Sequence, residues 1–205
     1  MARRLWITAD THFGEPQAIA RFGRPFSSTE EMDRTLLDSI NRCVDRKDEL
    51  LHVGDFCGPH PDGDKARRVH ARTMRDQIRC KRVSLIRGNH DVAHRAFDRL
   101  FTTVTTLQSW RAQPDDIRVN ACHWPLRLWR GQFKGAVLLH GHSHGGLAMT
   151  GRSVDVGMDC WNYQPIEFAP LLDWLKKISC VPTESWPRLQ CNRDPSHLPD
   201  LPLTG

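Results

Sequence analysis

A chain of 205 residues, 39% of them hydrophobic, is long enough for one domain with a substantial core, and no linker interrupts residues 1–178 to suggest two. It has no run of 18 or more apolar residues, and Met1-Ala-Arg-Arg leads straight into Leu5-Trp-Ile-Thr-Ala9 and a charge, so neither a membrane span nor a secretion signal is expected and a cytoplasmic location fits. Seven cysteines without a CxxC pair argue against a disulfide framework or zinc knuckle, and a net charge of +5 favours anionic partners, although the arginines are spread along the sequence and make nucleic acid only a weakly favoured one.

The first apolar run, residues 5–9, ends at Asp10-Thr-His12, the pattern of a buried strand with functional side chains at its end. Ser28-Thr-Glu-Glu31 has the form of a capping box, and Met32, Leu36, Ile40 and Val44 recur at four-residue spacing behind it, which predicts an amphipathic helix. A second run, 49–53, ends at Gly54-Asp55, and residues 64–80 predict a helix with a solvated face. The third run, 83–86, leads into Gly88-Asn-His-Asp91, followed by a short predicted helix over 94–100. Runs 117–121 and 136–139 end at His123 and Gly141-His-Ser-His144, a further strand starts at Ser153, and 171–178 predict the last helix.

Alternating strands and helices in the first hundred residues predict a layered α/β sheet, while the short connections between the later strands suggest hairpins. A mixed sheet or a two-sheet sandwich flanked by helices satisfies both. From Pro182 the proline-rich tail, 179–205, is expected to lack regular structure. Its ending, Leu201-Pro-Leu-Thr-Gly205, matches a cell-wall sorting signal, but the apolar segment that such signals require is missing and coincidence or a tag is expected.

An isolated histidine is more often a hydrogen-bonded or surface residue than a ligand. Here His12, His90, His123, His142 and His144 each lie beside a glycine, a carboxylate or the end of an apolar run. The five clusters together offer enough oxygen and imidazole ligands for two cations. Carboxylate, amide and imidazole donors suit divalent Mn, Fe, Zn, Ni or Co better than an all-oxygen magnesium site; donor type does not choose among these, and manganese is the ion expected first.

The ordered set Asp10-Thr-His12, Gly54-Asp55, Gly88-Asn-His-Asp91, His123 and Gly141-His-Ser-His144 resembles the signature of the calcineurin-like metallophosphoesterase superfamily over about residues 5–168. Asp10-Thr-His-Phe-Gly14, Arg24-Pro-Phe26 and Asp159-Cys-Trp-Asn-Tyr163 are similar to its small bacterial and phage branch. The resemblance implies a four-layer sandwich, a central β-sandwich flanked by helices. It implies one metal held by Asp10, His12, Asp55 and His144, and a second by Asp55, Asn89, His123 and His142, with Asp55 bridging.

The activity so implied is phosphoester hydrolysis by a metal-bridging hydroxide, with His90 as general acid and Asp91 read as the residue that orients it. Arg24, Arg87, Arg127 and Arg130 are candidates for binding phosphate oxygens, and Trp124 and Trp161 for stacking a base or flat leaving group. No large cap interrupts 55–88 or 120–141, which favours phosphodiesters and a small phosphoester or nucleotide substrate. A phosphomonoesterase or nuclease with the same two-metal site, and a noncatalytic metal-binding scaffold, are the alternatives.

Overall fold

The computed structural model describes residues 3–180; the predicted tail beyond them, with its Leu201-Pro-Leu-Thr-Gly205 ending, lies outside the described residues. In chain order the elements are β1 (Leu5–Thr8), α1 (Pro16–Arg21), α2 (Thr29–Cys43), β2 (Glu49–His52), α3 (Gly63–Gln77), β3 (Arg82–Ile86), α4 (Arg95–Asp98), β4 (Val104–Thr105), β5 (Leu107–Ala112), β6 (Ile117–Cys122), β7 (Val137–His140), β8 (Ser153–Asp155), β9 (Ile166–Glu167) and α5 (Phe168–Lys176). They form two sheets, ordered β4-β3-β2-β1-β9 and β5-β6-β7-β8.

Period-two side-chain alternation divides the apolar residues between two cores. Leu50, Val83 and Leu85 face outward from the first sheet onto Met32, Leu36 and Ile40 of α2, Ala71 and Met74 of α3, and Phe97 of α4. Ile7, Leu51, Val53 and Ile86 face the other way, against Val119, Ala121, Val137, Leu139 and Val154 of the second sheet, and α5 adds Leu171, Leu172 and Leu175. Leu139 is completely buried in this inter-sheet core, and truncating it to alanine is expected to cost about 2–5 kcal/mol. The outer face of the second sheet is covered by a smaller cluster in which Trp129 lies against Cys122, Ala136 and Leu138.

The start of α2 follows its sequence signature in one half only. Ser28 Oγ accepts from the Glu31 N–H at 3.1 Å, but the Glu31 carboxylate accepts from Ser27, at 2.7 Å from its N–H and 2.5 Å from its hydroxyl, rather than from Ser28.

The later strands depart from the hairpin expectation. β5 and β6 are antiparallel, but β6 pairs with β7 and β7 with β8 in parallel. Parallel neighbours need a crossover of roughly a dozen residues, and the segments 123–136 and 141–152 supply two. β1, β2 and β3 are also mutually parallel, and a parallel bridge from Ala9 to Gly157 ties the two sheets. The ends of β1, β2, β3, β6 and β7 therefore deliver their polar clusters to one edge of the sandwich. Among the described residues no helix is long and apolar enough to cross a membrane.

Candidate metal centre

At that edge the backbone turns sharply. Asp10, His12, Asp55, His142 and His144 have φ of 57°, 51°, 56°, 68° and 46°, the left-handed region that non-glycine residues seldom occupy. Backbone hydrogen bonds fix these turns: Asp10 N–H donates to Gly54 O at 2.9 Å and His12 N–H to Asp55 O at 3.0 Å. His142 N–H donates to Asp10 Oδ2 at 3.0 Å. Two glycines leave room for the carboxylates, since a Cβ at Gly88 would overlap Asp55 and one at Gly141 would overlap Asp10.

Among the described residues three groups of possible metal ligands result. One joins His12, Glu15 and His90; in the other two, atoms of Asp10, His12 and His144 lie within 4.8 Å of one another, and so do atoms of Asp55, His123 and His142. Asp55 stands between these last two, its Oδ2 3.7 Å from His12 Nε2 and 3.2 Å from His123 Nε2. Asn89 Oδ1 lies 3.1 Å from the same nitrogen of His123.

The outer ring nitrogens of His12, His123 and His144 are engaged. His12 Nδ1 donates to Glu15 Oε2 at 2.6 Å, His123 Nδ1 to Val53 O at 2.9 Å, and His144 Nδ1 to Asp159 Oδ2 at 2.7 Å. With Nδ1 as the donor, each of these rings directs its Nε2 inward, the arrangement that fixes metal-binding histidines, and at His123 a cation would displace the proton that Asp55 holds there. Nε2 of His12 is buried without a hydrogen-bond partner, at a cost that a cation would remove.

The electrostatics point the same way. Burial holds the Asp10 carboxyl well above the usual carboxylate range, and a cation beside it would favour its ionised form. Burial opposes protonation of His123, but the Asp55 carboxylate outweighs it and lifts the imidazole to about 9. Burial likewise opposes ionisation of Asp55, and hydrogen bonding and charge from His123 still lower it to about 2. A buried oxygen and imidazole donor set in so negative a field fits divalent cations.

The residues named around this set divide. His90 reaches the rim: its N–H donates to Asp55 Oδ1 at 2.7 Å, and its Nδ1 lies 3.6 Å from Glu15 Oε2. Asp91 does not orient it. Its Oδ2 accepts from the N–H groups of Asp55 at 2.9 Å and Gly88 at 2.8 Å, and its Oδ1 from that of Phe56 at 2.9 Å. The carboxylate thus turns inward, away from its sequence neighbour, and clamps two ligand loops.

Arg24 is not open to a phosphate, because Nε and Nη2 each donate to the Asp159 carboxylate at 2.8 Å while Nη1 and Nη2 donate to Thr11 O and Asp10 O. Arg87 is spent on Asp98 at 2.6 Å and Val92 O at 2.7 Å. Trp161 packs on the inter-sheet core and donates to Asp155 O, and part of its surface stays exposed. Trp124 is 40% exposed and meets His123 edge-on at 5.4 Å. Arg127 and Arg130 are on the exposed part of the same loop.

Two residues escaped the sequence reading. Glu15 binds His12 and borders His90, and its only local signal is an acid three residues after a histidine. Asp159 joins His144 to Arg24, a contact between residues 135 apart in sequence; Arg24 and Asp159 both stand in the branch motifs, but nothing local in them tells that they pair. Phe22 stacks on His144 at 3.4 Å between ring centroids.

A two-sheet α/β sandwich carrying such a ligand set at one edge defines a metal-dependent phosphoester hydrolase. The chain belongs to the calcineurin-like phosphoesterase family, whose model matches residues 3–177. It is 26% identical over 188 residues to the uncharacterized protein MJ1445 of Methanocaldococcus jannaschii, covering 88% of this chain and 96% of that one. Among solved structures it is similar to the protein of unknown function AQ665 from Aquifex aeolicus, at TM-score 0.64 and 17% identity over 84% of this chain and 100% of that one, which reflects a common fold. Looser likenesses are the Pseudomonas putida nuclease MPE, at TM-score 0.44 and 23% identity over 69% and 62% of the two chains, and Yfce, a phosphoesterase from E. coli, at 0.38 and 16% over 75% and 78%.

Proposed function

We propose that the protein is a binuclear phosphodiesterase. The observation that carries this reading is Asp55, whose one carboxylate lies within 3.7 Å of His12 on one side and 3.2 Å of His123 on the other. On this reading Asp10, His12, Asp55 and His144 hold one divalent ion and Asp55, Asn89, His123 and His142 the other. Manganese is the first ion to try, with Fe, Zn, Ni and Co accepted by the same donors. Bound there, the ions supply an activated water and neutralise charge on the phosphoryl oxygens.

The chain's own contribution is positional. His90, anchored through its N–H to Asp55 Oδ1 and partly exposed at 19%, protonates the leaving oxygen. Glu15 Oε2, 3.6 Å from His90 Nδ1, favours the protonated imidazole that a general acid needs. Trp124 offers a flat apolar face at the rim beside His123, suited to an aromatic or nucleobase substituent of a small phosphoester. The exposed side of His142 and the lack of a cap element over residues 55–88 leave space for a second ester group, which favours diesters over monoesters.

The test is hydrolysis of bis-p-nitrophenyl phosphate and p-nitrophenyl phosphate by metal-stripped protein resupplied with manganese, with Asp55→Asn as control. Diester turnover restored by manganese and lost in the control is the expected result. A preference for the monoester would replace this reading with a phosphatase.

A further inference from the structure

The arginines scattered through the sequence gather in space at the end of the first sheet opposite the metal centre, where β2 and β3 begin. A cleft of about 570 Å³ there is lined by Arg46, Arg72, Arg79, Lys81 and Arg99. None of these five side chains makes an ion pair or hydrogen bond among the described residues. Asp76 is the one carboxylate lining the cleft among them. Arg75 is fastened inward, donating to Leu100 O at 3.0 Å and Lys81 O at 2.9 Å, so it shapes the cleft rather than facing it. Elsewhere Arg4, Arg24, Arg87 and Arg111 are paired with Asp48, Asp159, Asp98 and Asp116. Unpaired cations turned toward one concavity repel one another and raise the local concentration of anions.

The cleft is one end of a longer track. A second hollow of about 680 Å³ shares Arg46 and Lys81 with it and adds Lys47, Arg82 and one carboxylate, Asp45. Arg82, 3.9 Å from Glu49 Oε1, also borders a narrower space of about 280 Å³ between the two sheets, where Glu49, Trp110 and Gln108 lie. Such a row exceeds what a single phosphate needs, and guanidinium forks match successive phosphate groups. Trp110 packs on the inter-sheet core with its ring 5.8 Å from that of Phe168 but stays half-exposed, and an open indole surface beside the Gln108 amide suits a base rather than an acidic side chain.

We propose that this track is a docking site for single-stranded nucleic acid, holding the phosphate backbone along Arg46, Arg79 and Lys81 and admitting a base beside Trp110. The contacts are to backbone and stacking faces, so binding is independent of sequence and strongly salt-dependent. The site is remote from the metal ligands and does not rest on the diesterase reading.

The test is fluorescence anisotropy of a labelled mixed-sequence oligodeoxynucleotide with the full chain in chelator, across a salt series. The triple variant Arg46→Ala, Arg79→Ala, Lys81→Ala is expected to bind at least about tenfold more weakly, with a salt slope flatter by about 2, or ~0.7 for each phosphate left without its cation. Trp110→Leu, which keeps an apolar contact with Phe168, lowers affinity without changing that slope. A control triple of equal charge, Arg34→Ala, Lys65→Ala, Lys177→Ala, binds as the parent does. The proposal is overturned if the groove triple binds like the parent, if the control is weakened as much, or if polyglutamate competes as well as unlabelled oligonucleotide. Binding is read without metal, so an inactive metal centre leaves this result intact.

Discussion

Asp91 holds Asp55 by its backbone, accepting from the Asp55 N–H at 2.9 Å, and the same carboxylate fixes Phe56 and Gly88. Burial raises its pKa to about 6 against the pull of those N–H groups. Asp91→Ala leaves three buried donors unsatisfied, and at roughly 1–3 kcal/mol each a stability loss of about 3 kcal/mol or more is expected in urea unfolding. In whatever folds, the ratio of rates on aryl and alkyl esters stays as in the parent. A change in that ratio would show that Asp91 acts through His90 after all.

Arg24 provides a second contrast between support and substrate binding. Its side chain is fully buried and fork-paired with Asp159. Arg24→Ala strands a buried carboxylate, costing about 3–5 kcal/mol, and lysine, which lacks the fork, does not rescue it. Thermal melts of the two variants and of Asp159→Asn check this. A raised KM with unchanged stability would restore the phosphate-binding role.

Glu15 fixes the tautomer of His12 through a 2.6 Å hydrogen bond. For Glu15→Gln the expected result is metal affinity weakened about 10–100-fold, the usual penalty for losing such an outer partner, measured by competition with a chromophoric chelator. Unchanged affinity would remove the carboxylate from the metal centre's support.

His52 predicts a pH dependence. The Thr11 hydroxyl donates to Phe56 O, so His52 Nε2 must donate to Thr11 Oγ1 at 3.0 Å, which leaves a bare, buried Nδ1. Burial lowers this imidazole from 6.5 to about 3. Between those values the unfolded chain takes a proton that the folded chain refuses. The folded state is therefore unpenalised above pH 6.5 and loses stability as pH falls, by up to about 1.4 kcal/mol per unit. In chelator, the stability difference between parent and His52→Gln should shift in the variant's favour by up to about 2 kcal/mol from pH 8 to pH 5; a difference independent of pH contradicts the assignment.

How much of this was legible depended on the range of the interaction. Strands β1, β2, β3, β6 and β7 could be read because each apolar run stops at a polar cluster, and α2 because Met32, Leu36 and Ile40 share one face. The two-residue strands β4 and β9 are too short to show a period, and β5 alternates between exposed and half-buried positions along an edge. Apart from Glu15, the residues that gather in the candidate metal groups were visible as ordered motifs. Their supports were not, because adjacency suggested that Asp91 serves His90, whereas the turn points the carboxylate inward to backbone amides. The duties of Arg24 and Asp159 arise from a contact across almost the whole domain.

The left-handed backbone at Asp10, His12, Asp55, His142 and His144 has a thermodynamic corollary. Each such conformation costs roughly 1–2 kcal/mol for a residue with a Cβ, and hydrogen bonds to Gly54 O and Asp55 O settle that cost at Asp10 and His12 when the chain folds. Little ordering is then left for the cations to accomplish. Metal uptake becomes a local capture on a finished scaffold rather than a folding transition, and the empty and loaded proteins should have nearly the same far-UV circular dichroism spectrum.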